Sequence, residues 1–111
     1  MNVTPEDEKL VTLARSSRAR INAAGGAAVR DLDGRTYAAT SVALPSLELS
    51  ALDLAVAMAI SSGATGLEAG AVVTSRDGAI VDLSTVRELA GTDVPVYVAD
   101  DDGTIVSVRA S

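Results

Sequence analysis

The 111-residue chain has no histidine, cysteine, tryptophan or phenylalanine, and Lys9 is its only lysine. Without cysteine there are no disulfides and no thiol nucleophile. Without histidine there is also no imidazole base, no Ser-His triad and no nitrogen or sulfur ligand for zinc. Catalysis would rest on Asp, Glu, Ser, Thr, Tyr, Arg or Lys9, and Lys9 stands among Glu6, Asp7 and Glu8, where a desolvated amine is not expected. The aromatics are Tyr37 and Tyr97 alone, so the 48% hydrophobic fraction is Ala, Val, Leu and Ile with little else. Such small aliphatic groups suit close packing of helices on a sheet. The net charge of -6 has the wrong sign for gripping phosphate backbones, which makes nucleic acid an unfavoured partner overall. No apolar run is long enough to cross a bilayer and no leader-like start is seen, so the expectation is a soluble, cytoplasmic, single domain over residues 1–111 with no membrane partner.

What is present reads as a series of short elements. Thr4-Pro5-Glu6-Asp7 is a helix start, with a hydroxyl N-cap, proline in the first turn and acids where the helix dipole favours them. Leu10, Leu13, Ala14, Ser17 and Ile21 share one face of that helix, Arg15, Arg18 and Arg20 crowd its end, and Gly25-Gly26 closes it. Ala27 to Asp31 and Thr36 to Val42 flank Asp33-Gly34 as a β-hairpin. Leu49 to Ile60 is a helix apolar on nearly every side, interrupted only by Ser50 and Asp53, and it requires cover on both sides. Ser61-Ser62-Gly63 stops it. A strand follows from Ala69 to Ser75, a turn at Asp77-Gly78, a short helix from Asp82 to Ala90 with Asp82 as N-cap, and strands Val94 to Ala99 and Thr104 to Arg109. The order is α-β-β-α-β-α-β-β.

Several patterns mimic sites. Asp100-Asp101-Asp102-Gly103 lacks the remaining oxygen ligands of a calcium loop and reads as a turn. Gly63-Ala64-Thr65-Gly66 leaves a helix rather than entering one, the reverse of a phosphate loop. Arg15, Arg18 and Arg20 form the one dense cationic cluster; it reads first as a solvated helix end and second as a partner surface. Glu48, Asp53 and Glu88 are the carboxylates that an acid/base pair would draw on, though helix capping is the plainer role.

Four segments carry a family resemblance. Gly34-Arg35-Thr36-Tyr37, the run from Ser50 to Gly63, Arg87-Glu88 and Val94-Pro95-Val96-Tyr97-Val98 together resemble, in order and spacing, the small homo-oligomeric cytidine deaminases. The resemblance implies an α/β three-layer sandwich, a five-stranded mixed sheet with helices on both faces. Zinc deaminases of this kind hold a metal by one ligand at one helix start and a Pro-Cys-x-x-Cys at another, with a Glu moving protons. Here the first ligand position is Ser50 and the Glu position is Leu52, and the second motif becomes Asp82-Leu83-Ser84-Thr85-Val86, with Leu83 and Val86 in place of its cysteines. The family's ribose-binding Asn-x-Glu falls on Ser41-Val42-Ala43, so Ser41 and Ala43 are not expected to bind substrate. The segment before the first strand is reduced to Asn22-Ala23-Ala24-Gly25-Gly26, and Ser111 stands where many relatives continue into a further helix.

The resemblance therefore implies a scaffold without metal, cofactor or catalytic residue, its pocket filled by Leu52, Leu83 and Val86. Ser50, three places before Asp53, is an N-cap in its own right. The expected self-association, as dimer or tetramer, runs through Leu54, Ala57, Met58 and Ile60 of the central helix, with a further protein partner left open. Degenerate relatives imply a role near ribosome maturation. The alternatives are a nucleoside or nucleotide sensor without turnover, and an atypical deaminase or hydrolase that uses carboxylates.

Overall fold

The computed structural model describes residues 3–74 and 81–111; the turn read at Asp77-Gly78 and the strand end at Ser75 lie outside them. The first helix, α1, runs Pro5–Ile21. Thr4 caps it as its spacing predicts, the hydroxyl accepting from the Asp7 amide at 3.2 Å, and Asn22 ends it in the left-handed region at φ 53°. Its buried face is Asp7, Leu10, Val11, Ala14 and Ser17, whereas Ile21, expected on that face, is exposed at the final helical position.

Five strands make the main sheet: β1 (Gly25–Asp31), β2 (Thr36–Thr40), β5 (Leu67–Thr74), β6 (Pro95–Ala99) and β7 (Ile105–Ala110). Their order is β2-β1-β5-β6-β7. Only β5 and β6 are parallel, joined across helix α3 (Ser84–Ala90), and the other neighbours are antiparallel. The expected mixed five-stranded sheet is thus present. Helix α1 covers one face, where Leu10, Val11 and Ala14 meet Ala28, Ala71, Val73 and Tyr97. Helix α2 (Ala51–Ser61) and α3 cover the other, with Ala55, Val56 and Val86 in one cluster with Ala27, Val29, Val72 and Val96. Alanine is frequent at these contacts because it lets helix and sheet backbones approach closely. The approach is closest at Gly26, where an added Cβ would lie 2.1 Å from the Ala14 carbonyl oxygen.

Several boundaries differ from the sequence reading. Strand β1 begins at Gly25, so the glycine pair belongs to the strand and not merely to the helix stop. The second strand ends at Thr40, after which Val42–Leu44 (β3) and Leu47–Leu49 (β4) form a separate two-stranded ribbon. Leu49 therefore closes a strand, and α2 starts at Ala51 behind its N-cap Ser50. The ribbon escaped detection because Val-Ala-Leu and Leu-Glu-Leu are too short for a periodic signal and flank Pro45-Ser46, a pair that reads as loop. Among the described residues no helix is long and apolar enough to cross a membrane.

Candidate functional site: the paired helix starts

The two helices on one sheet face begin near each other, and their first turns are joined. The Ser50 hydroxyl accepts from the Asp53 amide at 3.1 Å, the capping bond expected from the sequence. Asp53 in turn accepts from the Thr85 hydroxyl at 2.8 Å, tying the first turn of α2 to that of α3. Asp82 accepts from the Ser84 amide at 2.9 Å and from the Ser84 hydroxyl. These bonds hold the Asp82 carboxyl below its ordinary range. The helix itself begins at Ser84 with Leu83 at the flanking position, two residues later than an N-cap at Asp82 would place it. The polar groups at both helix starts are thus engaged with their own chain.

Beneath this rim lie Leu52, Leu83 and Val86, all buried and part of one continuous apolar cluster with Ala51, Ala55 and Val96. A zinc ion, the metal that the resemblance would bring here, needs lone pairs from nitrogen, sulfur or carboxylate oxygen. Leu83 and Val86 offer hydrocarbon, and the Ser50 oxygen is committed to the Asp53 amide. The residues do not fit the metal. Among the described residues no group of three or more Asp and Glu side chains gathers as a metal site elsewhere.

The other sequence candidates are dispersed. The Ser41 hydroxyl accepts from the Gly25 amide at 3.2 Å, extending the β1–β2 ladder, and Ala43 is exposed on the ribbon. Glu48 is exposed on β4 and Glu88 on α3, so the three candidate carboxylates sit on three separate elements. Arg15 donates to the Asp101 carbonyl at 3.2 Å, and Arg18 pairs with the Asp101 carboxylate at 3.3 Å, so two members of the cationic cluster grip the β6–β7 turn. Arg20 is left exposed. The acidic turn also braces itself, since Asp100 accepts from the amides of Asp102 and Thr104. Leu54 is half-buried and Ala57, Met58 and Ile60 are exposed, together forming the outward side of α2.

Two polar arrangements went unseen in the sequence. Asp31, buried at the β1–β2 turn, accepts from the Tyr37 hydroxyl at 2.8 Å and from the amides of Asp33 and Arg35. Desolvation raises its pKa, but these hydrogen bonds outweigh it and leave the carboxyl below its usual range. On the opposite sheet face Asp7 accepts from Arg30 at 2.8 Å and from the Tyr97 hydroxyl at 2.6 Å, and Arg30 also reaches Glu68 at 2.8 Å. Asp7 and Tyr97 are 90 residues apart, a pairing for which no local pattern could serve as a signal.

A family model described as cytidine deaminase-like matches residues 3–103. Among solved structures the chain is similar to the cytidine deaminase of Burkholderia pseudomallei, with 24% identity, a TM-score of 0.75 and coverage of 98% of this chain and 92% of that one. It is also similar to the cytidine deaminase of Mycobacterium leprae, with 19% identity, a TM-score of 0.71 and coverage of 93% and 91%. No match was found among curated proteins.

Proposed function

The chain belongs to the cytidine deaminase-like family, and we propose that within it this protein is a catalytically inactive member that works as a homo-oligomeric binding or scaffold module. One observation carries the reading. Leu83, Val86 and Leu52, onto which the sequence resemblance places two zinc ligands and the proton-shuttling Glu, are buried hydrocarbon in a continuous core cluster. The remaining ligand position, Ser50, is spent as an N-cap. A hydrolytic deamination needs an activated water and a group to carry its proton. Neither can be assembled from Leu, Val and an engaged serine hydroxyl.

The surviving use is a surface. Helix α2 turns Ala57, Met58 and Ile60 outward with half-buried Leu54 beside them, where a helix facing only water would carry charge. Self-association through that side follows.

Elemental analysis of purified protein, paired with a cytidine deamination assay and a melting assay with cytidine and uridine, tests the proposal. The expected outcome is no stoichiometric metal, no turnover and no nucleoside-induced rise in melting temperature. Tightly bound metal at one per chain, or deamination that a Leu52 or Ser50 substitution abolishes, would overturn it. A clear rise in melting temperature with a nucleoside but no turnover would convert the scaffold into a sensor.

A further inference from the structure

On the sheet face that α1 covers, opposite the paired helix starts, a cleft of about 320 Å³ lies between α1 and the β6–β7 turn. That volume is enough for a small ligand. Glu8, Thr12 and Arg15 run along its α1 wall at helical spacing, and Asp102, Gly103 and Ile105 form the wall across from them. Arg15 is fixed near its stem and free at its tip. Its Nε donates to the Asp101 carbonyl at 3.2 Å, and its stem lies along Gly103, where an added Cβ would stand 3.3 Å from the Arg15 Cδ. The Asp101 carboxylate goes to Arg18 instead, at 3.3 Å.

Among the described residues no protein group meets the two terminal nitrogens of Arg15, and no cation meets the Glu8 or Asp102 carboxylate. Charges of both signs thus line one cleft without pairing. A fold that holds opposite charges apart across a cavity is complementary to a ligand that carries both signs.

We propose that this cleft binds a free basic α-amino acid, of the lysine or arginine kind. The α-carboxylate takes the two terminal nitrogens of Arg15, a planar fork matched to a carboxylate. The α-ammonium meets Asp102, which the contact of its neighbour Gly103 with Arg15 places at the same end of the cleft. The distal cation meets Glu8, two helical turns and roughly 10 Å along the axis from Arg15. An extended basic side chain bridges that interval and a short neutral one does not. Between the two ends the methylene stem lies against Val11 and Ile105, the apolar part of the lining.

Charge selects the same ligand. Two carboxylates and one guanidinium leave the cleft with an excess of one negative charge, and a basic amino acid, with two cations and one anion, is its complement. A phosphate group would face both carboxylates, and a polyamine would face Arg15 with no anion to offer it. The cleft lies on the other side of the sheet from Leu52, Leu83 and Val86, so it stands or falls separately from the loss of deaminase chemistry.

Titration of the full chain with L-lysine and with L-arginine, followed by amide NMR spectra and calorimetry, tests the site. The expected result is saturable shifts centred on residues 8–15 and 101–105. Glu8→Gln and Arg15→Gln are each expected to weaken binding at least about tenfold. Cadaverine, which lacks the carboxylate, and norleucine, which lacks the distal cation, are expected to bind at least about tenfold more weakly than lysine. Arg15→Gln also removes a bond to the turn, whereas the Glu8 side chain has no partner among the described residues, so Glu8→Gln reads recognition alone. The proposal is overturned by the absence of saturable shifts at ~10 mM lysine or arginine, by shifts centred elsewhere, by cadaverine or norleucine binding as well as lysine, or by wild-type affinity in Glu8→Gln.

Discussion

Gly25 and Gly26 are neighbours at the start of β1, yet their surroundings differ in a way that substitution would expose. A Cβ on Gly25 would find nothing closer than 3.7 Å, whereas one on Gly26 would meet the Ala14 carbonyl oxygen at 2.1 Å and the Arg18 Cβ at 2.9 Å. Backbone cannot swing aside as a flexible side chain can, so α1 would have to lift off the sheet. Gly26→Ala is expected to cost about 3 kcal/mol or more, at the upper end of overpacking effects, and Gly25→Ala to fall within about 0.5 kcal/mol of wild type. Urea denaturation of the two variants checks the contrast. In the sequence the pair was legible only as a helix stop, because the identity of the atom facing a glycine depends on a crossing of elements. Ser50 is the opposite case: a hydroxyl three residues before Asp53 announces its capping bond locally, and the bond is there.

At the scale of elements, α1 is fastened to the sheet by charge as well as by hydrocarbon. Asp7 receives Arg30 from β1 and Tyr97 from β6, and Arg15 and Arg18 hold the β6–β7 turn. The hydrogen bond to Asp7, with burial, pushes the Tyr97 phenol up to about 12. An unfolded tyrosine titrates at about 10, so on raising the pH the unfolded chain releases this proton first. The stabilisation from Tyr97 is therefore complete below the unfolded value and is lost as the pH climbs through about 12. Urea stability followed from neutral to strongly alkaline pH should fall more steeply in wild type than in Tyr97→Phe, where only Tyr37, also raised by its bond to Asp31, still contributes. Equal slopes would mean that the phenol is not held. Helix boundaries were readable from caps and periodicity to within a few residues. The β3–β4 ribbon was not, since three-residue strands leave no period.

At the scale of the whole molecule, Ala57, Met58 and Ile60 on the outward side of α2 and Leu44 and Leu47 on the ribbon are exposed among the described residues. If copies cover them, stability becomes linked to protein concentration by mass action. The melting temperature of wild type is expected to rise across a dilution series read from low to high concentration. Ala57→Glu is expected to lower it and to flatten the dependence. A wild-type melting temperature that ignores concentration would count against assembly.

The sequence by itself determined the order of the three helices and the five main-sheet strands, the capped starts of α1 and α2 and the poverty of chemistry, since residue types, short spacings and absences are properties of the chain whatever its shape. A protein without His or Cys cannot gain an imidazole or thiolate ligand by folding. Only the tertiary structure decided that Leu52, Leu83 and Val86 share one core cluster, that Asp53 meets Thr85, that Asp7 meets Tyr97, and that two arginines close on the acidic turn. Those contacts join positions tens of residues apart, and their geometry is set by how helices cross the sheet, a quantity that no local window of sequence contains.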